Sequence, residues 1–144
     1  MIRINRRTDY AVRVMLALAR HAGEGRLSTQ QIQDQMLVPR AFLQRIIADL
    51  SRQKLIKTYT GPNGGLELTR SVETFNLREI YEAIEGPLLI SDCLEAAGVC
   101  PLDKGCPVRP RWACLQALMA RELEAITLAE LVADADKIGQ FQTR

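Results

Sequence analysis

Apolar residues return every three or four positions in the first stretch of the chain, at Tyr10, Ala11, Val14, Met15, Leu18 and Ala22. That period predicts a largely buried helix over residues 8–22. Thr8 is its expected N-cap, and Gly23 and Gly25 stop it. His21, the single histidine, falls near the C-terminal end, where the helix dipole favours a protonated ring; it is given no further role. Ser28-Thr29-Gln30-Gln31 has the form of a capping box, so a short helix is expected over 28–36 with Ile32 and Met36 facing inward. Leu37 and Val38 form a turn, and Pro39 opens a third helix at the position where its missing N–H does no harm. In this helix Leu43, Ile46, Ile47 and Leu50 share one side. Ala41, Gln44, Arg45, Ala48 and Arg52 share the other, with Arg40 at the N-terminal end.

The pattern then changes. Residues 55–60 are β-prone, 61–65 read Gly-Pro-Asn-Gly-Gly, and 66–69 form a second β-prone run, so a hairpin follows the third helix directly. Asn76, with Glu79 three residues on, starts a helix whose stripe is Leu77, Ile80, Tyr81 and Ile84, and Gly86-Pro87 ends it. From about Arg109 a longer helix carries Trp112, Leu115, Met119 and Ile126 roughly along one side, widened by Leu118 and Leu123. Thr127-Leu128-Ala129-Glu130 is another capping box and predicts a short helix over about 128–135. The expected fold class is mainly α with a small β-hairpin. It divides into a winged helix-turn-helix head over 1–86, a loop over 87–108, and a long dimerisation helix with a C-terminal tail over 109–144.

Length and charge narrow the function. A chain of 144 residues is one domain by size, and 47% hydrophobic with 25% charged is ordinary globular composition. No run is long and apolar enough to span a bilayer. The polar start MIRINRRTDY lacks the apolar core of a signal peptide, so a cytoplasmic location with no membrane partner is expected. The net charge of +2 conceals a split. Residues 1–70 hold 12 Lys/Arg and 5 Asp/Glu, whereas 71–144 hold 7 and 12. A basic first half suits a polyanion, because phosphate contacts release condensed counterions.

A short helix, a tight turn and a third helix with a small, amide- and guanidinium-bearing face suit the major groove, where Gln and Arg read base edges. A hairpin directly after such a helix is the wing of a winged helix, and its glycine-rich tip allows close approach to DNA. Arg3, Arg6 and Arg7 ahead of the first helix suit phosphate clamping and a solvated terminus equally. The expected contact set to double-stranded DNA begins with Arg6 and Arg7, then Ser28 and Thr29 at the start of the second helix. It continues through Pro39, Arg40, Ala41, Phe42, Gln44 and Arg45 to Thr60, Gly61, Pro62, Asn63 and Gly64 in the wing turn. Readers of this kind are commonly symmetric dimers on palindromic sites, which gives the long apolar helix a partner.

All four cysteines, Cys93, Cys100, Cys106 and Cys114, lie in one stretch, separated by six, five and seven residues. In a reducing compartment such clustering points to a metal or redox site rather than a disulfide framework. Thiolates suit iron–sulfur clusters and zinc. The spacing disfavours zinc, whose structural sites usually carry cysteine pairs two to four residues apart. A thiol–disulfide switch and plain buried thiols also fit. Cys114, two residues past Trp112 and inside the long helix, reads as a buried filler. No nucleotide-binding glycine fingerprint or second cluster motif accompanies the cysteines, which argues against a redox enzyme.

These features together resemble the IscR/NsrR family of winged-helix, iron–sulfur transcription regulators. The resemblance covers about residues 1–135 and rests on Thr8-Asp-Tyr-Ala-Val12, VPRAFLQRI, GPNGG, IYEAIEGP, the three cysteines 93, 100 and 106, and ITLAELV. It implies a homodimer whose cluster lies between one subunit's cysteine loop and the other's first helix. Cys93, Cys100 and Cys106 would hold it. IscR-like members place a histidine three residues after the last cysteine, where this chain has Arg109. NsrR-like members place an aspartate from the partner where this chain has Asp9, so Asp9 of the partner subunit is the implied fourth ligand and Cys114 its rival. That set leans toward a four-iron rather than a two-iron cluster, and aerobically handled protein is expected to be apo. Relatives often carry an arginine just before the wing's Gly-Pro, where this chain has Thr60.

Overall fold

Residues Arg6–Arg20 form a helix, α1, around which the head is built. Its Ala11, Val14, Met15 and Ala17 are fully enclosed. The structure, a computed structural model, describes residues 3–139. After α1 come α2 (Thr29–Met36), α3 (Arg40–Arg52), β1 (Ile56–Tyr59), β2 (Gly65–Leu68), α4 (Leu77–Glu85), α5 (Arg109–Ala125) and α6 (Leu128–Ile138). Single 3₁₀ turns occupy Val72–Thr74 and Asp92–Leu94. Helices α2, α3, α4 and α6 and strand β2 all pack on α1. Among the described residues, six α-helices with one antiparallel hairpin make the winged-helix class expected from the pattern. Residues 140–144 of the expected tail, like Met1 and Ile2, lie outside the described residues.

The boundaries differ from expectation in four places. α1 begins at Arg6 with Asn5 as N-cap, whose side chain accepts from Thr8 N at 2.9 Å. Thr8 is therefore inside the first turn, 1% exposed, and its hydroxyl donates to Glu85 Oε1 at 2.6 Å instead of capping. α1 ends at Arg20, which leaves Ala22 exposed in the turn. Pro39 is the N-cap of α3, not its first helical residue. α6 runs to Ile138, past the expected stop near 135, and Gly139 closes it in the left-handed conformation.

The expected amphipathic faces are realised. In α3, Leu43, Ile46 and Leu50 are buried, while Arg40, Ala41, Gln44 and Arg45 are exposed. Leu37 takes a left-handed φ of 53°, a strained turn that buries Val38 at the corner between α2 and α3. All three capping boxes form, at Ser28, Asn76 and Thr127. The last two lie back to back: Leu77 N donates to Ile126 O and Leu128 N to Phe75 O, both at 3.0 Å. This lock returns α6 to the head, where Leu128 joins the core with Phe75 and Ile80. α5 is different. None of its residues is buried, Trp112 is 41% exposed, and it packs mainly on α4 and the 3₁₀ turn at Asp92–Leu94.

Candidate DNA interface and cysteine loop

The candidate DNA face combines α1, α3 and the hairpin. Along α3, Arg40 and Arg45 are exposed and make no ion pair among the described residues, so their guanidinium forks are available. Gln44, Ala41 and Pro39 are exposed beside them. Phe42, 39% exposed, packs edge-on against Tyr10 with ring centroids 5.2 Å apart. Arg6 and Arg13 lie over the same Tyr10 ring at 6.0 and 5.4 Å. Arg6 thus keeps its charge near α3. Thr29 is exposed at the first turn of α2. The Ser28 hydroxyl is occupied, accepting from Gln31 N at 3.1 Å.

Arg7, another expected phosphate contact, is already engaged within the chain while its side chain stays 40% exposed. It pairs with Asp49 on α3, and Asp49 pairs in turn with Arg52. The Asp49 side chain is only 9% exposed. Arg7 therefore ties α1 to α3. The sequence reading missed Asp49, although a carboxylate one position before core residue Leu50 in an amphipathic helix needs a partner.

The wing is a hairpin paired from Ile56↔Leu68 to Tyr59↔Gly65. Leu27 adds a third rung, donating to Leu66 O at 3.1 Å and accepting from Leu66 N at 2.7 Å. Gly65 has a φ of 145°, and a Cβ there would come within 2.7 Å of Leu27 O, so no other residue lets that rung close. Gly64 N donates to Gly61 O at 2.9 Å, closing the tip, where Thr60, Gly61, Pro62 and Asn63 are exposed. Below the tip, Tyr59 donates to Glu67 Oε1 at 2.7 Å, and that bond holds the phenol above its ordinary pKa. Arg26 lies over the Tyr59 ring and donates to Asn63 O at 3.1 Å.

The loop after α4 carries Cys93, Cys100 and Cys106, all unpaired and partly accessible. Its fold depends on two charged side chains. Asp103 Oδ2 accepts from Gly98 N at 2.7 Å. Arg109, at the start of α5, donates from Nε to Cys93 O at 2.9 Å. Asp103 Oδ1 lies 3.0 Å from the same Nε and gains its charge but not its single hydrogen, which is directed at Cys93 O. Cys106 lines a cavity of about 690 Å³ with Leu88, Leu94, Asp103, Arg109 and α5. Among the described residues, no three His, Cys, Asp or Glu side chains are gathered at metal-ligating range. The donor chemistry of the loop fits an iron–sulfur cluster: three soft thiols on an irregular backbone free of competing disulfides. Cys114 is exposed on α5, which corrects the expectation of a buried filler. Asp9 stands in the first turn of α1, half-exposed and paired with Arg13 at 2.9 Å.

A chain of contacts links the end of α4, just before the loop, to α3 by way of α1. Glu85, the last residue of α4 before the loop, accepts from Thr8 and Asn5 at the start of α1. One residue along α1, Arg7 holds Asp49 of α3. Sequence reasoning missed Glu85 as well, since only the tertiary fold brings it to Thr8.

Comparison with known proteins agrees with this geometry. The Rrf2 family, described as iron-dependent transcriptional regulators, matches residues 4–134. The regulator NsrR of Shouchella clausii is 28% identical over 140 residues, covering 94% of each chain. The structure of T. potens IscR superposes with a TM-score of 0.75 at 25% identity, covering 99% of this chain and 94% of that one. The structure of CymR, the global cysteine regulator of B. subtilis, shares the fold with a TM-score of 0.75 at 22% identity, covering 92% and 98%. No described helix is long and apolar enough to cross a membrane. With a winged-helix fold and a family match over nearly its whole length, the chain belongs to the Rrf2 family of DNA-binding transcriptional regulators and is not an enzyme.

Proposed function

We propose that this regulator acts in the cytoplasm as a homodimer, reads a palindromic operator with α3 and the wing, and is switched by an iron–sulfur cluster on its cysteine loop. The observation that carries the reading is the loop itself. Three unpaired, partly accessible thiols share one irregular segment, held by Arg109 to the base of α5 and joined through α4 to the DNA face. Cys93, Cys100 and Cys106 would hold the cluster as thiolates with Asp9 of the partner subunit as fourth ligand, and when bound it supplies a centre open to oxidation or nitrosylation. A four-iron form suits this donor set. To ligate, Asp9 must leave Arg13, and an exposed pair of this kind contributes only about 0.5 kcal/mol.

The dimer reading is supported by α5. Trp112, Leu115 and Leu118 remain 41–46% exposed along a helix none of whose residues is fully buried within its own chain. A rearrangement of the loop would reach the DNA face through Glu85 on Thr8 and Arg7 on Asp49, which set where α1 holds α3.

Anaerobically purified protein should contain iron and acid-labile sulfide in equal amounts with a visible charge-transfer band. Absence of both, with operator affinity that differs between reduced and oxidised metal-free protein, would replace the cluster with a thiol switch. On the DNA side, Arg40→Ala or Gln44→Ala should relax sequence preference, costing about 1–3 kcal/mol of base discrimination each. Selection from a random duplex library checks this. An unchanged consensus for both variants would remove α3 from the reading role.

A further inference from the structure

We propose that Arg26, in the loop between α1 and α2, is the cation of the wing: its guanidinium is held at the hairpin tip to engage a DNA phosphate. The inference rests on the reading of the hairpin as a DNA-binding wing. The tip needs such a group, because Thr60, Gly61, Pro62, Asn63 and Gly64 carry no charge. A glycine-rich tip can come close to a phosphate but contributes no counterion release of its own.

Four contacts put Arg26 in place. Its neighbour Leu27 is bonded in both directions to Leu66 of β2, so the backbone beneath Arg26 is fixed to the wing. Its Cζ lies 3.3 Å from the centroid of the Tyr59 ring, the last residue of β1. Its Nη1 donates to Asn63 O at 3.1 Å, inside the turn. Its Nε is 3.8 Å from Glu67 Oε2, a long and weak pair because Glu67 already accepts the Tyr59 hydroxyl. The guanidinium is not enclosed by these contacts, and the side chain is 35% exposed. Stacking on Tyr59 holds the planar fork in one orientation, so little rotamer freedom is left to lose when a phosphate arrives. Glu67 opposes this role by placing a carboxylate beside the site.

The test measures binding of the full chain to a mixed-sequence DNA duplex by fluorescence anisotropy across a series of potassium chloride concentrations. Arg26→Gln keeps an amide donor for Asn63 O but removes the charge. It should flatten the plot of log affinity against log salt by about one unit per protomer bound and weaken binding roughly fivefold at physiological salt. Arg26→Lys should restore the slope. Glu67→Gln should tighten binding about threefold by removing the opposing carboxylate. If Arg26→Gln keeps the wild-type slope, or if Arg26→Lys falls as far as Arg26→Gln, Arg26 is only a brace of the hairpin and the proposal is overturned. Arg45→Ala on the same duplex separates the two possible failures. A slope lowered by Arg45→Ala but not by Arg26→Gln removes the wing cation alone. A slope unchanged in both removes the DNA face on which the proposal rests.

Discussion

Alanine at Cys93, Cys100 or Cys106 is expected to reduce the iron and acid-labile sulfide of anaerobically purified protein to background, while Cys114→Ala leaves both at the wild-type level. The asymmetry follows from where the thiols sit. Cys93 adjoins Ser91, whose hydroxyl lies 3.2 Å from its sulfur, and its carbonyl is tied to Arg109. Cys100 and Cys106 flank Asp103, which fastens Gly98. These three belong to one loop whose irregular backbone can adjust to a shared ligand. Cys114 is fixed one and a half turns into α5, on an exposed position whose direction the helix sets. Replacing a cluster thiolate leaves too few soft ligands in the loop, and Cys114, the one remaining cysteine, is held on the rigid helix α5. Each variant should also be assayed for total thiols and for its melting curve, so that loss of iron is separated from loss of fold. Iron lost in Cys114→Ala alone would move the fourth ligand to α5 and end the role of Asp9.

The second large effect is on stability. Phe75→Ala should destabilise the protein by about 3–5 kcal/mol, as burial of a full aromatic ring is lost and a cavity is left. The melting temperature should fall by roughly 10 °C or more. Phe75 is 0% exposed and belongs to the same core cluster as Met15, Ile80 and Leu128. It also sits where two distant parts of the chain are sewn together, its carbonyl accepting from Leu128 N at the start of α6. Arg70 lies over its ring at 4.1 Å and pairs with Glu79, so the substitution also removes the surface on which that guanidinium rests. Calorimetry or circular dichroism measures the change. A loss under about 1 kcal/mol would mean that the junction of α4 and α6 closes over the gap, contrary to the close packing expected there.

Much of the head was legible because local chemistry and global fold agree. The capping boxes at Ser28, Asn76 and Thr127 use residues three apart, and each forms as spacing predicts. The α3 stripe of Leu43, Ile46 and Leu50 is buried and the Arg40–Arg45 side is exposed, since a helical period on one chain decides which residues share a face. The hairpin follows from β-prone runs around Gly-Pro-Asn-Gly-Gly. The start of α1 was misread because Asn5 and Thr8 are both competent caps, and what separates them is Glu85, distant in sequence, which takes the Thr8 hydroxyl into the interior.

The helices, the hairpin, the thiol-bearing loop and the sign of charge on each half can be read from the residue order, because all of these depend on residues within a few positions of one another. Tertiary structure alone decided which charges are free. Arg7, Arg26, Arg40 and Arg45 are alike as letters, yet folding pairs Arg7 with Asp49, lays Arg26 on Tyr59 at the wing, and leaves the two α3 guanidiniums in solvent. It likewise exposed Cys114 and returned α6 to the core through Phe75 and Leu128. The physical reason is range: capping and periodicity act over one turn, whereas ion pairing, stacking and burial depend on partners that meet only when the chain has folded.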